Sequence, residues 1–261
     1  LAAASSYLLA RWILPVSHSP VENGCLVIDG DKILAIISRE EFERLPAELK
    51  NERGLDFGEA IITPGLINLH THLDYSALKH FDNYSTFFTW IRGLIGNSWQ
   101  WTAEQWLHSA FYGAREIIES ATSTIADSSY SGAAAKAVAF SGLRGVVGLE
   151  LFGIDESQTD VIFDAWLKKY QSFVDESPQA VRDAIADGRL ILTVAPHTPY
   201  SVCPSLIRKA LDWSRERQYP MLIHIAESEA ECKWLAVDEP RLDDFLKQAF
   251  RGDLPSTPWR G

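Results

Sequence analysis

The chain has 261 residues, 46% hydrophobic and 23% charged, enough for one large globular domain or one large and one small. A net charge of −11 argues against a nucleic-acid or anionic-membrane partner, because both select basic patches. No run approaches the roughly 20 apolar residues of a membrane helix, and the opening LAAASSYLLA lacks the basic start of a signal peptide.

The three cysteines (Cys25, Cys203, Cys232) are far apart and form no C-x-x-C, which fits a reducing cytoplasm better than a disulfide framework. The chain does not begin with Met and stops at Pro258-Trp259-Arg260-Gly261, so it reads as part of a longer protein.

Residues 7–60 read as a small β module. Tyr7 to Val16 is apolar, and Cys25–Ile28 and Lys32–Ile37 are strand-like, with hairpin-type turn signals at Glu22-Asn23-Gly24 and Asp29-Gly30-Asp31. The charged run 39–50 suits a short helix or loop. From Ile61 the pattern changes to alternating strand and helix. Strands are predicted at 61–70, 122–128, 143–152, 190–195 and 221–226. Helices are predicted at 102–120, 132–140, 158–174, 204–217 and from 229 to 237. Such alternation implies parallel strands with crossover helices. The first strand ends in histidines and carries no Gly-rich phosphate loop, which favours a (β/α)8 TIM-type barrel over a doubly wound sheet. About five β/α units are present, and an open barrel of that size exposes sheet edges that invite aggregation.

The first strand ends in His70-Thr71-His72. Residues i and i+2 of a strand share a face, so two imidazoles emerge side by side, a spacing that can chelate zinc or iron. A bare His-x-His also occurs where a strand simply meets a loop. The wider pattern decides. Of seven histidines, four (His70, His72, His197, His224) fall at predicted strand ends, on one rim of the barrel.

Glu227 follows His224 by three residues, so it reaches the same centre only if the strand ends between them. A carboxylate there suits a proton shuttle; alone, it would read as one more surface acid beside Glu229 and Glu231. Asp127 and Glu150 also sit near strand ends, where satisfying loop amides is the simpler role. Trp90, in a long aromatic loop after the first strand, can stack on a ring substrate or pack in the core. Trp99, Trp101 and Trp106 read as core.

The motifs PGLINLHTHLD, APHTPYSVCP and LIHIAESEAE together resemble the amidohydrolase superfamily, and more narrowly its aminohydrolase/chlorohydrolase branch of nucleoside, guanine and aminodeoxyfutalosine deaminases and triazine hydrolases. The resemblance implies that residues 1–60 form part of a small β-sandwich and 61–261 an incomplete hydrolase barrel. It implies one divalent metal ion, zinc before iron, held by His70, His72 and His224. Glu227 is implied as the proton shuttle, His197 as a substrate contact, and the aromatic segment around Trp90 as a cover over the substrate. The branch also uses a further His and a catalytic Asp from later strands, which this sequence does not include, so activity is expected of the parent protein and not of this piece by itself.

The implied reaction is hydrolytic deamination of a purine- or nucleoside-like heterocycle, acting on a small molecule with no nucleic acid or membrane involved. A homo-oligomer is allowed by the sequence but not specified by it. Two alternatives remain open: displacement of halide or another group from a heterocycle, and a non-catalytic fragment or binding module.

Overall fold

A computed structural model describes residues 6–46, 54–81 and 86–236. The chain divides into two compact units, Leu1–Gly65 and Leu66–Gly261.

The first unit is built on strands β1 (Ser6–Ile13), β2 (Val21–Asp29) and β3 (Lys32–Ser38), the short helix α1 (Arg39–Glu43), and strands β4 (Gly54–Asp56) and β5 (Ile61–Ile62). The strands form one sheet in the order β3-β2-β1-β4, with β5 also pairing β1. The β2–β3 hairpin turns at Gly30, whose φ of +58° lies where glycine carries no steric penalty. One face is buried around Leu9, Cys25, Val27 and Phe42. Of the charged run 39–50, residues 39–43 are helical, Ser38 and Glu41 forming the capping box, and 47–50 lie outside the described residues.

The strand predicted over 61–70 is divided. Ile61–Ile62 pairs with β1, and a separate strand β6 (Leu66–Thr71) opens the second unit. Pro64 and Gly65 explain the break: proline brings no N–H to a ladder, and glycine weakens a strand interior. The boundary read at 60/61 lies five residues before the division at Gly65.

The second unit continues with helices α2 (Phe87–Ser98) and α3 (Ala103–Glu119), strand β7 (Thr122–Ser129), helix α4 (Ala133–Ser141), strand β8 (Arg144–Leu151), helices α5 (Thr159–Glu176) and α6 (Gln179–Ala186), strand β9 (Leu190–Pro196), and helices α7 (Pro204–Glu216) and α8 (Glu229–Ala236). Strands β6-β7-β8-β9 pair in chain order, all parallel. A doubly wound sheet reverses strand order at its switch point, whereas an unreversed order winds in one direction as a barrel does.

Helices α1 and α3 begin where the sequence caps them. Thr102 and Gln105 make a capping box at α3, at 3.2 and 2.8 Å. Helix α4, AAAKAVAFS, is nearly all small residues, and that lets it bury Ala134, Ala135, Ala137 and Val138 completely. The core contains Ile125, Val147, Leu149, Leu192 and Val194 from the strands, with Trp166 and Trp213 from the helices. Gly148 permits a close approach in β8, since a Cβ there would stand 2.7 Å from that of Ala195.

Four further expectations need correction. Glu22-Asn23-Gly24 is not a turn but part of β2, with Glu22 and Gly24 paired to Trp12 and Ala10 of β1. The predicted fifth strand, 221–226, is not a regular strand: Pro220 brings no N–H, and among the described residues only Leu222 and His224 donate to β9 and the residue after it, at 3.4 Å to Val194 O and 2.9 Å to His197 O. The segment around Trp90 is not a loop but helix α2, because Phe88, Ile91 and Leu94 recur at helical spacing. Trp99 is not core; it caps the C-terminus of α2 and is 70% exposed. Among the described residues no helix is long and apolar enough to cross a membrane.

Candidate metal centre

Three imidazoles meet at the C-terminal rim. The ring centroids of His70, His72 and His224 lie 5.0–5.1 Å apart pairwise. Their ligand atoms fall within 4.8 Å of one another, a group that can hold a metal ion. His70 is the next-to-last residue of β6 and is exposed; its backbone N–H donates to Asn68 Oδ1 at 3.1 Å. His72 and His224 are half-buried.

The hydrogen bonds define the tautomers. His72 Nδ1 lies 2.9 Å from Ser128 O, and His224 Nδ1 lies 3.1 Å from His197 O. A carbonyl oxygen only accepts, so both Nδ1 atoms carry the proton and both Nε2 atoms present lone pairs. Those two Nε2 atoms face each other at 3.0 Å. Protonation of either ring is disfavoured. Burial pulls His72 down to about 4, helped by the neighbouring His224 and His70, and burial lowers His224 as well. Two neutral acceptors at that distance repel unless a cation lies between them. The donor set therefore fits a divalent ion, with a backbone carbonyl orienting each of the two half-buried rings.

Asp127, at the end of β7, brackets His72. Its Oδ2 accepts from Thr71 Oγ1 and from Leu73 N, both at 2.8 Å. Burial pushes its carboxyl up to about 8, with the nearby Asp74 adding to the rise. Asp74, two residues beyond His72, is fully buried and accepts from Ser129 Oγ, Ser131 N, Ser131 Oγ and Ala134 N. It ties the start of the loop after β6 to the turn that opens α4.

Glu227 reaches the rim because the chain turns at Ala226, whose φ is +57°. Tyr200 donates its hydroxyl to Glu227 Oε1, and the Glu227 N–H donates to Glu231 Oε2 at 2.9 Å. Burial raises the Glu227 carboxyl above its ordinary range, while the Tyr200 bond opposes the rise. His197 sits after β9, its ring 4.8 Å from Phe152 and its Nδ1 2.8 Å from the Ser201 hydroxyl. Burial, followed by the charges of His224 and His72, lowers it to about 3. Trp90 packs on Phe87 at 6.2 Å and has no hydrogen bond or ring contact with the histidines.

Sequence reasoning missed Asp74, Tyr200 and Glu231. Only Glu231 had a local signal, since Ser228-x-x-Glu231 spells a capping box. Its side chain reaches past Ser228 to the Glu227 amide.

The Amidohydrolase family profile matches residues 61–238. A 5-methylthioadenosine/S-adenosylhomocysteine deaminase of Syntrophobacter fumaroxidans is 28% identical over 193 residues, 73% of this chain and 42% of the relative. Its counterpart from Thermoanaerobacter pseudethanolicus is 27% identical over 230 residues, 82% and 47% of the two chains. This chain thus spans less than half the length of these relatives.

In three dimensions the chain is similar to Helicobacter pylori aminofutalosine deaminase in complex with methylthio-coformycin, with a TM-score of 0.80 at 19% identity over 98% of this chain and 59% of that one. It is also similar to zinc-complexed atrazine chlorohydrolase from Arthrobacter aurescens TC1, with a TM-score of 0.67 at 18% identity over 97% and 58%. The sequential parallel sheet is therefore part of a (β/α)8 TIM-type barrel, and the chain belongs to the amidohydrolase family.

Proposed function

We propose that this chain carries the metal-binding and proton-shuttling part of a hydrolytic deaminase acting on an aminated, nucleoside-like heterocycle. The approach of His72 and His224 Nε2 to 3.0 Å, with both Nδ1 protons committed to backbone carbonyls, carries the reading. His70, His72 and His224 would hold the ion. Zinc is the first choice, because three imidazoles suit it and the atrazine chlorohydrolase was solved with zinc. When bound, a divalent ion supplies Lewis acidity and makes water nucleophilic near neutral pH.

The remaining steps belong to the chain's own side chains. Tyr200 holds Glu227 Oε1, so Oε2 is free to take a proton from water and deliver it to the ring nitrogen beside the reacting carbon. The C–O bond forms first; the proton of the added hydroxyl then passes to the exocyclic nitrogen, the C–N bond breaks, and ammonia leaves the ring carbonyl behind. Burial keeps the Glu227 carboxyl above its ordinary range, closer to working pH, as a group that both takes and returns a proton needs. His197 contacts the substrate from the β9 side, and the aromatic helix α2, including Trp90, covers it. The reading places the protein in the cytoplasm, in keeping with three free cysteines, of which Cys25 and Cys203 are buried.

The test joins metal analysis to ammonia release by the whole protein from adenosine, S-adenosylhomocysteine and guanine. One ion per chain with ammonia from at least one compound supports the reading. Metal without ammonia, or chloride released from a chlorotriazine in its place, overturns it.

A further inference from the structure

Three buried acids, Asp74, Asp127 and Glu150, lie behind the histidines, and only one lacks an internal task. Asp74 takes four donors and Asp127 two. Glu150, at the C-terminal end of β8, is 9% exposed, and among the described residues no donor reaches its carboxylate. An uncompensated buried carboxyl is costly, so a group of this kind calls for a partner that arrives from outside the fold.

Its surroundings indicate what that partner is. One Glu150 oxygen and one nitrogen each of His197 and His224 lie within 4.8 Å of one another, with no direct hydrogen bond among them. Two hydrogen bonds of about 2.9 Å, meeting at one atom at an ordinary angle, span roughly 4.7 Å. Within that limit the gap takes one small polar atom at most. Phe152 lies tilted against His197, with ring centroids 4.8 Å apart, and supplies an apolar wall beside it. His224 Nε2 is already turned to His72. That leaves the Glu150 carboxylate and the His197 ring to contact the incoming atom.

We propose that Glu150 is a substrate-binding residue that, beside His197, accepts a hydrogen bond from the exocyclic amino group of the heterocycle. This inference rests on the deaminase reading. The amino group is the donor that every aminated heterocycle presents, and an oxygen of the buried Glu150 carboxyl reads it where an amine-free ring offers nothing. Glu150 thereby selects amine-bearing rings.

Binding in a Glu227→Gln background, where turnover is blocked, isolates the contact. Calorimetry with adenosine and with purine riboside, which lacks the 6-amino group, compares Glu150→Ala and Glu150→Gln with Glu150 intact. Adenosine affinity is expected to fall at least tenfold in Glu150→Ala and to recover partly in Glu150→Gln, which keeps an acceptor oxygen. Purine riboside affinity and zinc content are expected to stay unchanged. Equal losses for both nucleosides would make Glu150 structural and overturn the proposal. Loss of zinc in Glu150→Gln would overturn it too, by assigning Glu150 to the ion. If the Glu227→Gln protein binds zinc but neither adenosine, purine riboside, S-adenosylhomocysteine nor guanine, the deaminase reading itself fails and this inference falls with it.

Discussion

His72 and His224 come from segments 152 residues apart, yet their Nε2 atoms stand 3.0 Å from each other with both lone pairs facing inward. This contact is unfavourable without a cation. Metal removal is therefore expected to destabilise the protein and loosen this rim. Adding zinc to a hundredfold excess over its Kd should stabilise the metal-free protein by about 2.7 kcal/mol. Thermal unfolding with and without chelator checks this, and an unchanged Tm would remove the metal assignment. His224→Ala should abolish the response.

Asp127 makes a separate, pH-dependent contribution in the metal-free protein. Burial pushes its folded-state carboxyl up to about 8, while an unfolded aspartate titrates near 3.9. The native state therefore holds this proton more tightly than the unfolded state. The contribution is fully present below pH ~4, declines as pH rises, and is lost above about 8. Asp127→Asn should flatten the fall of Tm across that window. It should also weaken metal binding roughly 10- to 100-fold, because the bonds to Thr71 and Leu73 orient His72.

Tyr200 acts on Glu227. Its hydroxyl stabilises the carboxylate form, so Tyr200→Phe removes the influence that lowers the Glu227 pKa. The acid limb of the pH–rate profile, set by a carboxylate that must be ionised, should move to higher pH. Turnover should fall roughly ten- to a hundredfold, the range for losing a hydrogen bond to a charged group. Metal content should not change. A profile that does not move would detach Tyr200 from the shuttle.

Trp166 tests the barrel wall independently of the site. It stacks on Phe163, meets Trp213 edge-on at 5.1 Å between centroids, and donates its indole N–H to Leu149 O at 3.3 Å. Trp166→Ala should cost about 3–5 kcal/mol in denaturant unfolding, the usual range for a buried aromatic. Trp166→Phe should cost less, since it keeps most of the apolar area and loses only the indole bond.

Period and punctuation made much of this architecture legible. Apolar runs of strand length alternating with helical repeats identified β7, β8 and β9 and the helices between them, because burying one face of each element imposes that pattern. Helix α6 went unread, being one short amphipathic segment behind Pro178. The segment 221–226 looked like its neighbours in composition, but a strand exists only where a partner pairs along its whole length, and composition does not record pairing. Trp99 illustrates the same limit from another side: its type suggests burial, while its place at the end of α2 leaves it in solvent.

For the centre itself, sequence alone put His70, His72 and His197 where β6 and β9 end, and its spacing pointed His224 and Glu227 to the same rim. That follows from chain connectivity and the parallel β/α repeat. Tertiary structure alone decided the chemistry of those groups. Tautomers depend on which carbonyl each ring meets, and Ser128 and His197 are distant in sequence from the imidazoles they orient. The roles of Asp74, Asp127 and Glu150 diverge for the same reason. Three similar acids differ only in whether the fold brings donors to them, and hydrogen bonds and burial are properties of neighbours in space.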